Sequence, residues 1–464
     1  MTRDPQIGAV IEPLFRRHRP MLTGLFALQW QEPELPAMEV KSSRRLMDWL
    51  AASGFTVEEG AGGVPTAFLA RLKLGQGPRI AILAEYDALP GLANAAEPRR
   101  QAMRLLSGHA CGHNHIGPAN CGAAIIAAEA AARLGLVGEI AVVGCPAEEL
   151  LWGKIALLEA GVFEGFDAVL TSHGDYQTGA LSRPCQSVMS GELVFSGEAG
   201  HGGKPGLRNA LTAAERAIAA VTASTPAAAG APSVQHVLRQ AGLMPSITPD
   251  EARVWFSVRH VEYERAVAHY RWIETLCADA AAAVGASMRH QLIAGCRGYL
   301  ANDALAGLLH GIMQEVGSPK WSEADIAWME ALSLAASPGA AFELDRSVAL
   351  YDTGEDYYGQ DDGEISWRIP LGRINWAYPK GVPIHHWAWT ALSGHEAGSA
   401  GPVMAARVLA EAIVALLAEP GMIAAAQSEL ARRTQGVSLG PLQLGARRTL
   451  TRDPESFWNA TWVE

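Results

Sequence analysis

Three short apolar runs, each closing on a polar tip, constrain this chain more than anything else in it. PRIAILAEYDALPG at 78–91 ends in acids and a Pro-Gly turn. GEIAVVGCPAEE at 138–149 ends in two carboxylates, and DAVLTSHGD at 167–175 ends on a histidine and an acid. Continuous apolar runs of this length read as strands buried on both faces. Between them lie AAIIAAEAAARLG, an Ala-rich helix stopped by Gly135, and the helical GKIALLEAGVF. The alternation predicts an α/β fold, a sheet with helices on its faces. Ligands of such sheets bind beyond the carboxyl ends of the strands. Asp87, Glu148, Glu149 and His173 all fall there.

The remaining segments arrange themselves around that sheet. SRRLMDWLAAS at 43–53 has helical spacing and Gly54 to end it, and FTVEE and TAFLARLKL alternate as strands. The texture changes after residue 185. ELVFSGEAGHGGKP is strand-like with a glycine-rich turn, RNALTAAERAIAAVTAS is helical, and TPAAAGAPS offers little to pack. EARVWFSVRH puts Ala252, Val254, Phe256 and Val258 on one face of a half-exposed strand. Residues 186–298 therefore read as an inserted α+β domain between 1–185 and 299–464. Residues 361–400 read as loop-rich, ahead of the strong helix GPVMAARVLAEAIVALL.

Composition narrows the function classes. A formal net charge of -11 argues against a general nucleic-acid footprint. The N-terminal MTRDPQIGAVIEPLFRRHRP does not follow a secretion signal, and apolar stretches read as broken before membrane-spanning length. Six cysteines, none at zinc-knuckle spacing, suit reduced thiols in the cytoplasm.

The densest chemistry lies in SGHACGHNHIGPANCGAA at 107–124. Cys111, His113, Glu149, His173 and either His385 or His386 offer thiolate, imidazole and carboxylate donors. That set suits zinc, and also manganese or cobalt. Two close divalent metals can activate water and polarise a carbonyl at once. Asp87 is placed to bridge them or to orient a ligand. Glu148, beside Glu149, is placed to take the proton of the attacking water and return it to a departing amine. His201 in GHGGKP can reach a substrate oxygen. Arg208 and Asn209 can hold a carboxylate or carbonyl, and His395 can face a substrate. Each has a plainer reading. Cys111 can be a small buried hydrophobe, His173 a core or capping residue, Glu148 and Glu149 an exposed pair. Asn209 can be a helix cap, Arg208 a solvated side chain, and His201 and His395 surface histidines.

Read in order, these motifs resemble a known family. AEYDALPG at 84–91, GHACGHNHIG at 108–117, GCPAEE at 144–149 and TSHGD at 171–175 carry the first half of the likeness. AGHGGKPGLRNAL at 199–211, TPDEARVWFSVRH at 248–260, DGEISW and PIHHWAW continue it. The set resembles the co-catalytic metallopeptidases and amidohydrolases that include carboxypeptidase G, the aminoacylases and aminobenzoyl-glutamate hydrolase. It looks nearest to the aminobenzoyl-glutamate hydrolase and aminoacylase-like branch. The resemblance implies a catalytic domain with a central mixed sheet flanked by helices, interrupted by a lid that often mediates dimerisation. It implies two divalent metals on Cys111, His113, Glu149, His173 and His385, with His386 close behind. It implies Glu148 as general base, Asp87 as the acid of the first motif, and His201 as a lid histidine on the substrate carbonyl, sometimes from the partner subunit.

The chain also departs from the pattern. Glu85 stands where many relatives carry a histidine, and Leu150, Leu151 and Trp152 stand where small glycines usually follow PAEE. Such bulk reshapes the pocket and brings Trp152 toward the substrate. The expected activity is hydrolysis of an amide in an N-acyl or aryl-acyl amino acid or a small dipeptide, by a homodimer or higher homo-oligomer. The rivals are deamination of an aromatic amine and, in a different class, a non-enzymatic oligomeric module.

Overall fold

Four parallel strands deliver their carboxyl ends to one edge of the molecule. In the computed structural model, which describes residues 5–225, 230–446, 450–451 and 453–459, these are Glu139–Cys145, Arg79–Glu85, Ala168–Asp175 and Leu371–Ala377, side by side. Thr56–Glu59 and Phe68–Lys73 extend the sheet antiparallel on one side. Gly179–Leu181 and Ala349–Tyr351 complete its eight strands on the other, so the sheet is mixed. Ile82, Val142 and Leu170 are fully buried at its centre, each contributing about 1.5–3 kcal/mol. Pro5–Gln31, His113–Arg133, Asp303–Val316 and Glu396–Ala418 cover one face. Gly153–Glu159 and Asp362–Ser366 lie on the other.

A second, antiparallel sheet sits over the strand ends. Its order is Ser233–Gln240, Glu251–His260, Ser187–Ser196, Ser287–Cys296 and Gln443–Leu444. Helices Ala210–Ser224 and Tyr263–Ala282 bury its inner face around Phe195, Val254 and Phe256. The last strand comes from the C-terminal segment, which also ties Trp458 Nε1 to the carbonyl of Pro36 at 2.9 Å. The stretch TPAAAGAPS lies partly outside the described residues.

Three elements differ from the sequence reading. Residues 361–400 are not loop-rich: Leu371–Ala377 is a fully buried central strand. Arg373 and Asn375 interrupt its apolar run, yet both side chains are buried within the fold. The helix after the metal-type motif starts ten residues early, at His113, because its polar first turns pack inward rather than forming a loop. Finally, Glu396–Ala418 is long and apolar enough to cross a membrane, against the expectation that every apolar stretch is interrupted. Its length reflects the core instead: 78% of its apolar window is buried inside the fold.

Candidate metal centre

The site begins with a close approach between a helix and a strand end. Gly112, at φ 84°, turns the chain into the helix that starts at His113. One turn on, a Cβ at Gly117 would lie 2.5 Å from the carbonyl oxygen of Glu85. Glycine there lets the helix seat His113 against the Arg79–Glu85 strand end. His113 Nδ1 meets Asp87 Oδ1 at 2.8 Å, and the other Asp87 oxygen accepts the Glu149 N–H at 3.0 Å. That contact fixes the ring with Nδ1 toward Asp87 and Nε2 toward the remaining groups.

The other donors converge on that nitrogen. Cys111 Sγ lies 3.4 Å from His173 Nε2, and His385 Nε2 lies 3.5 Å from Glu149 Oε2. His113 Nε2 is 3.6 Å from Glu85 Oε2 and 3.7 Å from Glu148 Oε2. Three overlapping triplets each hold their donor atoms within 4.8 Å: Cys111, His113 and His173; Cys111, Glu149 and His385; His113, Glu148 and Glu149. His113 Nε2, Glu149 Oε1 and Glu85 Oε2 are buried with no hydrogen-bond partner among the described residues. An unsatisfied buried polar atom costs about 1–3 kcal/mol. Orphaned atoms of this donor chemistry, gathered at one point, fit divalent cations.

The electrostatics prepare the same groups. Burial, helped by Arg373, drives His173 down to about 3, which keeps its ring neutral and able to ligate. Burial pushes the Cys111 thiol up, and Glu149 adds to the shift. Such a thiol ionises when a cation arrives. Burial also raises Glu148 well above the ordinary carboxylate range, reinforced by Glu85. Burial works against ionisation of Glu85 too, yet Lys154 and His113 hold its carboxyl down to about 2.

The loop carrying Glu148 is locked from below. Ala147 and Leu151 have left-handed φ of 55° and 57°, and His385 has 56°. Such backbone costs on the order of 1–3 kcal/mol per residue and persists only where surroundings enforce it. Buried Glu39 helps enforce it, accepting the N–H groups of Ala147 at 2.9 Å and Ala37 at 2.7 Å and the Thr66 hydroxyl at 2.8 Å.

Above the donors opens a cleft of 960 Å³ between the two sheets. Leu150, Leu151 and Tyr176 line its catalytic side, and His236, Trp255 and Arg259 its lid side. Arg259 lines the cleft and makes no ion pair among the described residues. Glu39, Lys154 and Arg259 drew no attention in the sequence, and Glu85 stood out only as a departure within the AEYD motif.

Other sequence candidates stand elsewhere. His201 is exposed on the short strand Gly200–His201, which pairs antiparallel with Ile247–Thr248 outside the cleft lining, and its Nδ1 accepts the Gly203 N–H. Arg208 pairs with Glu198 at the surface, and Asn209 caps helix Ala210–Ser224 through Leu211 and Thr212. His386 caps helix Trp387–Gly394, while its neighbour His385 turns to Glu149. His395 stacks on Trp328 at 3.8 Å and caps helix Glu396–Ala418. Trp152 is wholly buried in the apolar layer beneath the loop. His109 and His115 are buried, bonded to the Asn114 N–H and the Tyr378 hydroxyl, and neither belongs to a donor triplet.

With this geometry in place, comparison with known proteins adds an independent line. Residues 186–284 match the peptidase dimerisation domain model. The chain is 26% identical over 466 residues to a p-aminobenzoyl-glutamate hydrolase of Escherichia coli (strain K12), covering 91% of this chain and 95% of that protein. Among solved structures, it superposes on an aminobenzoyl-glutamate utilization protein from Klebsiella pneumoniae with a TM-score of 0.61 and 19% identity, over 88% of this chain and 98% of that one. A dinuclear metal-binding peptidase of the M20 family from Bacillus subtilis gives 0.54 and 20%, over 87% and 99%. The two structural likenesses speak to the fold.

Proposed function

We propose that this chain is a metal-dependent hydrolase of the M20 peptidase and amidohydrolase family, close to its aminobenzoyl-glutamate hydrolase branch, with a narrower activity. It hydrolyses the amide bond of an N-acyl amino acid, aryl-acyl included, or of a small dipeptide. The observation that carries this reading is the placement of Cys111, Glu148, Glu149, His173 and His385 on one wall of a cleft whose other wall presents Arg259.

Cys111, His113, Glu149, His173 and His385 would hold two divalent cations, zinc, manganese or cobalt. Cys111 contributes to two donor triplets. Bound there, the cations supply Lewis acidity toward the carbonyl and a water that ionises near neutral pH. Asp87, with both oxygens engaged, orients His113 and the Glu149 backbone. Glu148 takes the proton of the attacking water and delivers it to the leaving nitrogen; its raised affinity for that proton suits the second half of the task. Arg259 anchors the substrate carboxylate. Leu150 and Leu151 give the cleft an apolar floor suited to an acyl or aryl group.

The dimerisation domain supports a homo-oligomer. Strand Ser233–Gln240 lies at the sheet edge with Val237 and Leu238 exposed, which suits a seam between two copies. His201 would then serve the partner's cleft. Six free, buried cysteines suit the reducing cytoplasm.

The test is a substrate panel on zinc-, manganese- or cobalt-loaded protein. It compares aryl-acyl glutamates, other N-acyl amino acids, dipeptides and aromatic amines. Amide hydrolysis that requires a free substrate carboxylate supports the reading. Ammonia release from an aromatic amine without amide cleavage contradicts it.

A further inference from the structure

The loop from Pro146 to Gly153 ends on a fully buried lysine that the chemistry above does not use. Lys154 Nζ lies 2.8 Å from Glu85 Oε1 and 2.5 Å from Asp361 Oδ1, and its backbone N–H donates to the other Asp361 oxygen at 2.9 Å. One ammonium thus joins three elements: the end of strand Arg79–Glu85, the start of helix Gly153–Glu159, and the residue before helix Asp362–Ser366. Stability alone is a poor reason for such a cluster, because buried ion pairs replaced by packed apolar groups are often neutral or stabilising.

The geometry points to a different task. Glu85 divides its two oxygens. One is held by Lys154; the other has no hydrogen-bond partner among the described residues and faces His113 Nε2 at 3.6 Å, itself unpartnered. Lys154 thereby fixes which Glu85 oxygen faces the donor cluster and where. It also holds the far end of the loop. Ala147 hangs from Glu39, Glu149 from Asp87, and Lys154 from Asp361. The loop's two ends touch: a Cβ at Gly153 would sit 1.7 Å from the Pro146 carbonyl oxygen. Movement at Lys154 therefore passes directly to the segment bearing Glu148 and Glu149.

We propose that Lys154 is a positioning residue of the metal centre, setting the Glu85 carboxylate against His113 and anchoring the loop of Glu148 and Glu149. The proposal rests on the metal-hydrolase reading above. Lys154→Met should weaken zinc binding by about 10- to 100-fold, the cost typical of losing a contact that orients a ligand. It should lower kcat while KM changes little. Because the single variant leaves a buried negative charge and can unfold, Lys154→Met/Asp361→Asn is the companion. It removes one charge of each sign and should regain thermal stability. Its zinc affinity and kcat should stay low, because Glu85 remains unheld.

Calorimetric zinc titration and melting curves of the three proteins decide the matter. Zinc affinity that returns together with the melting temperature marks Lys154 as merely structural and overturns the proposal, as does a Lys154→Met protein that binds zinc like wild type. Wild-type protein that holds none of zinc, manganese and cobalt overturns the metal reading itself, and the proposal with it.

Discussion

Two segments that both supply site candidates in the sequence, the loop at 146–154 and the short strand around His201, are built in opposite ways. The loop is buried and hangs from Glu39, Asp87 and Asp361, with left-handed backbone at Ala147 and Leu151. The His201 strand is exposed and pairs through two residues with Ile247–Thr248. On the proposed reading, the base Glu148 and the ligand Glu149, which must be exact before substrate arrives, sit on the rigid element. His201 sits on an exposed element outside the cleft lining. On that reading, a single chain carries the metal half-site and leaves His201 to be supplied to the substrate half-site from outside the cleft.

The heaviest blow to the rigid half is Cys111→Ala, which strikes two donor triplets at once. Losing the cations removes several kcal/mol of transition-state stabilisation, a fall of about a thousandfold in kcat/KM. Metal analysis alongside turnover checks it: both should drop together. On the lid side, Arg259→Ala should raise KM for carboxylate substrates by about 10- to 100-fold, the worth of a charge-assisted contact. Substrates with an amidated carboxylate should respond little, and steady-state kinetics on matched pairs reads the difference.

The contrast sharpens further if His201 works across a dimer. Neither His201→Ala nor Glu148→Gln homodimers should turn over well. After equimolar mixing and subunit exchange, about a quarter of wild-type activity should return, because half the dimers then carry one intact site. No recovery despite proven exchange would place His201 in its own chain's cleft or outside the reaction.

The smallest effect concerns the loop's own support. Burial, with Asp87 adding, lifts the Glu39 carboxyl to about 8 from an ordinary 4.5. The folded state then binds a proton that the unfolded chain has released, so this contribution is whole below pH 4.5 and is lost as pH rises through about 8. Melting temperature should fall across that window in wild type and stay flatter in Glu39→Gln.

What the sequence disclosed follows the physics of each element. Strands Arg79–Glu85, Glu139–Cys145 and Ala168–Asp175 were legible because each carries a continuous buried apolar stretch that gives way to a polar tip. Leu371–Ala377 was not, since buried Arg373 and Asn375 disguise it as surface. The donors Cys111, His113, Glu149 and His173 could be named as candidates from residue type and position at strand ends. Choosing between His385 and His386 needed the backbone, because one residue decides whether a ring caps a helix or faces Glu149. Lys154 was invisible for a plainer reason. In sequence it is one helical residue, and its partners lie 69 and 207 positions away.

The most direct test is metal content and turnover of Glu148→Gln measured on the same preparation. Losing a general acid–base should lower kcat by about 10²- to 10⁴-fold, with the protein folded and as much metal bound as in wild type. Turnover that survives the substitution with the metals in place would contradict the assignment of Glu148, and with it the account of the loop as the rigid half of a hydrolytic site.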